Sequence, residues 1–180
     1  MGKPRPPEKA LLFMATLYKD NELYVRARDQ LIKEFGGCFF ESTPHPWNHT
    51  EYYREELGWP IIRRFLAFRR IISPEQIRDI KIMTNGLEDN LAEAGKRKVN
   101  LDPGYLTLSK VVLATTKNYA HRIYLGKGIY AEVTLFYKQG TFRPHEFTYR
   151  DFRSVDYVEM FNKLREHLKE RHHSERSLTA

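Results

Sequence analysis

The run Ile61 to Ile72, IIRRFLAFRRII, leads straight into Ser73-Pro74-Glu75-Gln76. Twelve residues rich in β-branched and aromatic types, with arginines towards both ends, read as a long strand. The tetrapeptide after it is a capping box with proline at the first helical position, so a helix starts at once. Ile77, Ile80, Thr84, Leu87 and Leu91 then fall on one helical face, and Gly95 ends the pattern. This handover from strand to helix sets a mixed α and β class.

The flanking segments repeat the logic. Leu11 to Tyr18 is a buried strand by length and flanks. Asp20 caps a helix carrying Leu23, Ala27, Leu31 and Phe35, and Gly36-Gly37 stops it. Phe39 to Ser42 is a short strand. Thr43 to Pro60 holds three prolines around a small helix, Glu51 to Leu57, ended by Gly58. Lys98 to Leu101 is the next strand. The order β-α-β-β-α-β, with antiparallel neighbours, predicts an α+β fold with a ferredoxin-like core. Two additions follow. His121 to Leu125 and Ile129 to Tyr137 form a β-hairpin about Gly126-Lys127-Gly128, with Arg122 opposite Glu132 as a cross-strand ion pair. Ser154 caps a C-terminal helix with Tyr157, Val158, Phe161, Leu164 and Leu168 on one face. We expect a loose arm over 1–9, one domain over 10–170 and a fraying polar tail over 171–180.

Composition narrows the setting. Apolar residues make up 41% of the 180, enough for an ordinary core. The surplus of Lys and Arg over Asp and Glu, 30 − 23 = 7, favours acidic partners: nucleic acid, phosphates or anionic lipid. It also suits a plain basic protein. The single cysteine, Cys38, lies in an apolar run and reads as a small buried hydrophobe, which fits a reducing, cytoplasmic location. Ala10 to Tyr18 runs into Lys19-Asp20-Asn21-Glu22 with no small-residue cleavage pattern, so it reads as a first strand rather than a signal peptide. No run approaches the ~18 apolar residues of a membrane span. We expect no membrane partner.

The candidate site lies in Lys98 to Lys117, KVNLDPGYLTLSKVVLATTK. Leu108, Val111, Val112 and Thr115 follow i, i+3, i+4, i+7, which predicts a helix with Thr107 as its cap. A strand with Val111, Leu113 and Thr115 on one face is the competing reading. With the helix, Asp102-Pro103-Gly104-Tyr105 becomes a loop at a helix N-terminus, where free N–H groups favour an anion. Asp102 is then a general base, a cation ligand or a turn-forming carboxylate. Asn100, Gly104, Tyr105, Thr115, Thr116, Lys117 and Arg122 are the candidate ligand-binding residues around it. His121 is a candidate proton carrier, and alternation with Ile123 and Leu125 also suits it to a core. Arg150 and Arg153 flank Asp151 before the last helix. They can clamp a phosphate or carboxylate, or they can neutralise neighbouring acids.

The segments Asn100-Leu101-Asp102-Pro103-Gly104-Tyr105, Leu113-Ala114-Thr115-Thr116-Lys117 and His121-Arg122-Ile123-Tyr124-Leu125-Gly126 together resemble a prokaryotic family of uncharacterised proteins of this length, the domain of unknown function numbered 4416. Phe65 to Phe68 and Thr148 to Arg153 extend the resemblance over nearly the whole chain. It implies membership and carries no reaction with it.

Other chemistry is poorly supported. There is no phosphate-loop signature, and Gly126-Lys127-Gly128 is a hairpin turn. His45 and His49 are four apart, but Pro46 prevents the helix that would align them, so no metal site is expected. Phe65 and Phe68 are three apart, hence on opposite strand faces, which argues against base stacking as in RNA-recognition modules. A looser polyanion contact through Arg63, Arg64, Arg69 and Arg70 is the alternative. The expected function is therefore binding of a small anionic ligand (phosphorylated, nucleotide or carboxylate), with or without catalysis. A non-enzymatic RNA- or protein-binding module is second. Cofactor and oligomeric state are left open.

Overall fold

The computed structural model describes residues 2–49 and 51–178. Among them, nine strands form one antiparallel sheet, accompanied by four α-helices, an α+β architecture. The strands are β1 (Ala10–Tyr18), β2 (Cys38–Glu41), β3 (His45–Trp47), β4 (Ile61–Ile72), β5 (Val99–Leu106), β6 (Lys110–Thr115), β7 (Ile123–Gly126), β8 (Ile129–Lys138) and β9 (Thr141–Arg143). The helices are α1 (Asn21–Phe35), α2 (Arg54–Leu57), α3 (Ile77–Asn90) and α4 (Val155–Leu178). The sheet runs β2-β4-β1-β5-β6-β8-β7, with β3 also on β4 and β9 also on β8.

Both faces of the sheet are covered at β1, which is why that strand is essentially inaccessible and apolar but for Thr16, whose hydroxyl donates to the Arg64 carbonyl. Leu12, Met14 and Tyr18 pack with Tyr24, Ala27, Leu31 and Phe35 of α1, and with Ile77, Ile80 and Leu87 of α3. Leu11, Phe13 and Ala15 face the other way, into Tyr157, Met160, Phe161, Leu164 and Leu168 of α4. Phe65 and Phe68 of β4 go to opposite cores, as a period of two requires.

Local signals act as read. Asp20 Oδ1 accepts the N–H groups of Glu22 and Leu23, at 2.8 and 3.1 Å. The Ser73 N–H donates to Gln76 Oε1 at 2.8 Å, and the helix opens there as a 3-10 turn. Arg122 Nε donates to Glu132 Oε2 at 2.7 Å, the ion pair expected across β7 and β8.

Two expectations are corrected. Residues 107–117 are not a helix: they are a tight turn followed by β6. Thr107 does cap, with Oγ1 accepting the N–H groups of Ser109 and Lys110, but the cap closes a hairpin between β5 and β6. The run Val111 to Ala114 is buried on both faces, so helical and strand patterns coincide in it. Second, Asp102-Pro103-Gly104-Tyr105 is no loop; it lies within β5, paired along its length with β1. Gly104 meets no positive-φ requirement. A Cβ there would lie 2.3 Å from Phe13 Cζ and 2.6 Å from the Val112 carbonyl oxygen, so glycine is demanded by close packing. The helix α4 runs on past Arg171 to Leu178, anchored at Leu164 and Leu168. Residues 179–180 of the expected tail, and Met1 of the expected arm, lie outside the described residues. The extension beyond β5 is also larger than one hairpin, adding β6 and β9 to β7 and β8.

Candidate functional site

β6 pairs with β5 only from Gly104 to Leu106; beyond that point the two strands part. The parted edge of β5 still carries backbone groups that need partners. Side chains of α3 supply them. The Leu101 N–H donates to Glu88 Oε1 at 2.5 Å, and the Leu101 carbonyl accepts from Lys81 Nζ at 2.8 Å. Backbone direction alternates along a strand, so Pro103 turns the same edge to the gap, where its missing N–H leaves nothing unsatisfied. Proline is thus placed where the ladder with β6 ends.

The gap opens on a cavity of about 410 Å³. Asp102 lies at its floor, 28% exposed at the side chain. Lys81 Nζ donates to its Oδ1 at 3.1 Å and Asn100 Nδ2 to its Oδ2 at 2.7 Å. Burial alone would raise the Asp102 pKa. The charges of Lys81 and Arg63, with these hydrogen bonds, outweigh burial and hold the carboxyl below its ordinary value. Around it the charges close into a ring. Arg97 donates to both oxygens of Glu56, at 2.6 and 2.7 Å, to Glu88 Oε2 at 2.9 Å and to Asn100 Oδ1 at 3.1 Å. Burial pushes the Glu88 carboxyl above its ordinary value despite Lys81.

A second pair lies on β4. Arg63 Nη2 donates to Asp151 Oδ2 at 2.8 Å, both side chains 6% exposed, and the Trp47 indole N–H donates to the same oxygen at 3.3 Å. A third centres on Glu132, whose Oε2 is bonded by Arg122 Nε and lies 3.0 Å from His121 Nε2. Arg122 also donates to the Tyr149 hydroxyl and, at 2.9 Å, to the Lys117 carbonyl. Burial pushes the Tyr149 hydroxyl up to about 12, which keeps it a neutral donor and acceptor.

Of the residues singled out from sequence, Asn100, Asp102, Thr115, Thr116 and Lys117 line the cavity together. The rest fall elsewhere. Gly104 packs against Phe13, and Tyr105 joins the core on the α1 and α3 side. His121 sits behind Glu132, its ring stacked on Phe147 at 4.6 Å, with Nδ1 buried and without a hydrogen-bond partner among the described residues. Arg122 holds Glu132 and Tyr149 in place. Arg153 donates to the carbonyls of Thr148 and Glu146, and Arg150 is exposed outside the cavity lining. The four arginines of β4 do not make one basic surface either: Arg63 pairs with Asp151 and Arg64 with Glu41. Among the described residues, no group of three or more His, Cys, Asp or Glu is arranged to hold a metal ion, and no helix is long and apolar enough to cross a membrane.

Sequence reasoning missed Lys81, Glu88, Arg97, Trp47 and Tyr53, all of which line the cavity. One signal was there. Lys81 and Glu88 are seven apart and adjoin the apolar stripe of α3, a place where a solvated charge does not belong.

Comparison with curated proteins and with solved structures gave no match. One family model does match, over residues 8–168. The chain therefore belongs to the family described as a domain of unknown function, DUF4416.

Proposed function

We propose that the cavity binds a small ligand bearing a phosphate or carboxylate, with Lys117 as its charge partner and Asp102 as the acceptor for its hydrogen-bond donors. The observation that carries this reading is the state of Lys117. Four cations line the cavity. Arg63, Lys81 and Arg97 are each neutralised by a carboxylate. Among the described residues Lys117 makes no ion pair: Glu56, the carboxylate that feels its charge, is bound by Arg97, and the Lys117 Nζ lies 3.8 Å from the centre of the Tyr52 ring, at the mouth. Its backbone is fixed by the Arg122 guanidinium and by Thr115 Oγ1, which accepts the Lys117 N–H at 3.2 Å. Buried ion pairs seldom add net stability, because desolvation offsets their attraction. Two pairs of this kind meet at one cavity, Arg63 with Asp151, both 6% exposed, and Lys81, 4% exposed, with Asp102, and they are better explained by a site than by the fold.

Asp102 suits binding more than proton abstraction. A carboxyl held below its ordinary pKa is a weak base and a good hydrogen-bond acceptor. The strand order β2-β4-β1-β5, with α1 and α3 on one face, supports reading this half as a ferredoxin-like core that β6 to β9 and α4 extend.

The test is a thermal-shift panel of phosphorylated and carboxylated metabolites, with and without Mg²⁺, on the wild type, Asp102→Asn and Lys117→Met. A ligand at ~100-fold excess over its Kd adds about 2.7 kcal/mol. Both variants should fold and lose that shift. Hits that stabilise all three proteins equally place the ligand elsewhere, and Asp102 then serves only β5 and α3.

A further inference from the structure

Resting on that reading, we infer that the ligand joins a flat ring system to its anionic group, and that Tyr52 and Tyr149 hold the ring at the cavity mouth. Both tyrosines line the cavity and both stay open, Tyr52 at 60% and Tyr149 at 42% exposure. Neither is loose. Lys117 Nζ covers one face of Tyr52, and Tyr53 meets it edge-on with ring centres 5.0 Å apart. The Tyr149 hydroxyl accepts from Arg122, whose guanidinium carbon lies 5.8 Å from the centre of its ring. An exposed aromatic ring fixed by its neighbours offers a π face at little further cost in entropy.

The wall behind continues the theme. Trp47 is 4% exposed and meets Tyr53 edge-on, with ring centres 5.4 Å apart. Asn85 and Thr116 line the same cavity and can hydrogen-bond the edge of a ring. The contact between Lys117 and Tyr52 ties charge to ring. A sugar phosphate would use Lys117 and leave the tyrosines unused, and a neutral aromatic would do the reverse. One molecule with both groups satisfies both.

Titration calorimetry on the whole chain separates these cases. The ringed probes are the nucleoside monophosphates, nicotinamide mononucleotide and flavin mononucleotide. The ringless probes are ribose 5-phosphate and inorganic phosphate. We expect at least one ringed probe to bind roughly tenfold or more tightly than the ringless ones, the scale of one stacking contact. Tyr52→Leu and Tyr149→Leu should bring it down to the ringless level, while Tyr149→Phe, which keeps the ring, should retain most of the affinity. Ribose 5-phosphate binding as tightly as every ringed probe would overturn the ring inference and leave the anion reading standing. Ringed probes that bind Lys117→Met as tightly as wild type would do the opposite. If no probe binds, both fall.

Discussion

One face of the sheet does two jobs, divided at Gly104. On one side of it, Phe13, Leu106, Val111 and Phe161 pack into a dry core under α4. On the other, the same strands present Asn100 and Asp102 of β5 and Arg63 of β4 to a cavity. β1 serves both, Phe13 in the core and Ala15 in the cavity lining, two residues apart. What differs is the neighbour of β5. Where β6 is present, backbone meets backbone and the side chains above are apolar. Where β6 has parted, Lys81 and Glu88 replace it, and they bring charge into the interior. A sheet can thus build a site by ending one ladder early and letting a helix finish it.

The strongest way to break this division is at its border. Gly104→Ala sets a methyl against the Phe13 ring and the Val112 carbonyl, at distances that no rotamer of Phe13 alone relieves. The strands must separate, and we expect a loss of about 3 kcal/mol or more in urea unfolding. The next effect is on the polar side. Lys81→Met keeps the stem but strips a donor from the Leu101 carbonyl and a cation from Asp102. Breaking a buried pair costs about 3 to 5 kcal/mol, and the exposure of Asp102 reduces that to about 2 to 3. If Lys81→Met is neutral in the same assay, the side-chain replacement of β6 is not stabilising β5.

The smallest effect is a pH slope. The folded-state pKa of Glu88 lies above its ordinary value of 4.5, so in the window above 4.5 the folded protein holds more protons than the unfolded chain. Stability therefore falls as pH rises from 4.5 through the folded pKa, by at most about 1.4 kcal/mol per pH unit. Asp102 has the opposite sign: its contribution is present above its ordinary value of 3.8 and is lost as pH falls through the lower folded pKa. Glu88→Gln keeps an acceptor for the Leu101 N–H. Melting temperature against pH should flatten on the neutral side in this variant while the acid limb stays. An unchanged neutral slope would show that Glu88 titrates alike in both states.

Much of the core was legible because it obeys local rules. Asp20 and Ser73 cap where their spacing says, and the faces of α1 and α4 follow from period alone. β6 was not, because Leu108 to Thr115 satisfies both periods and a threonine cap serves hairpins as well as helices. Asp102, Asn100 and Lys117 were found by the density of polar side chains near one turn-like tetrapeptide. The tetrapeptide itself was misread: proline and glycine there mark a ladder's end and a close approach, not a reversal. Arg63, Lys81, Glu88 and Arg97 come from segments up to 34 positions apart in sequence, and their meeting depends on the strand order, which no local pattern encodes.

The central place of β1 also bears on synthesis. Its nine residues, ALLFMATLY, find hydrogen-bonding partners only in β4 and β5, up to Leu106. At the usual ribosomal pace, roughly 4 to 18 s separate the making of Tyr18 from that of Leu106. Until residue 72 is made the most apolar strand of the protein has neither flank paired, and from there to residue 106 only its β4 flank can pair, a segment of the kind that chaperones hold and that aggregates when they do not. The nascent chain should therefore be most dependent on chaperones before residue 106 emerges, and far less so after.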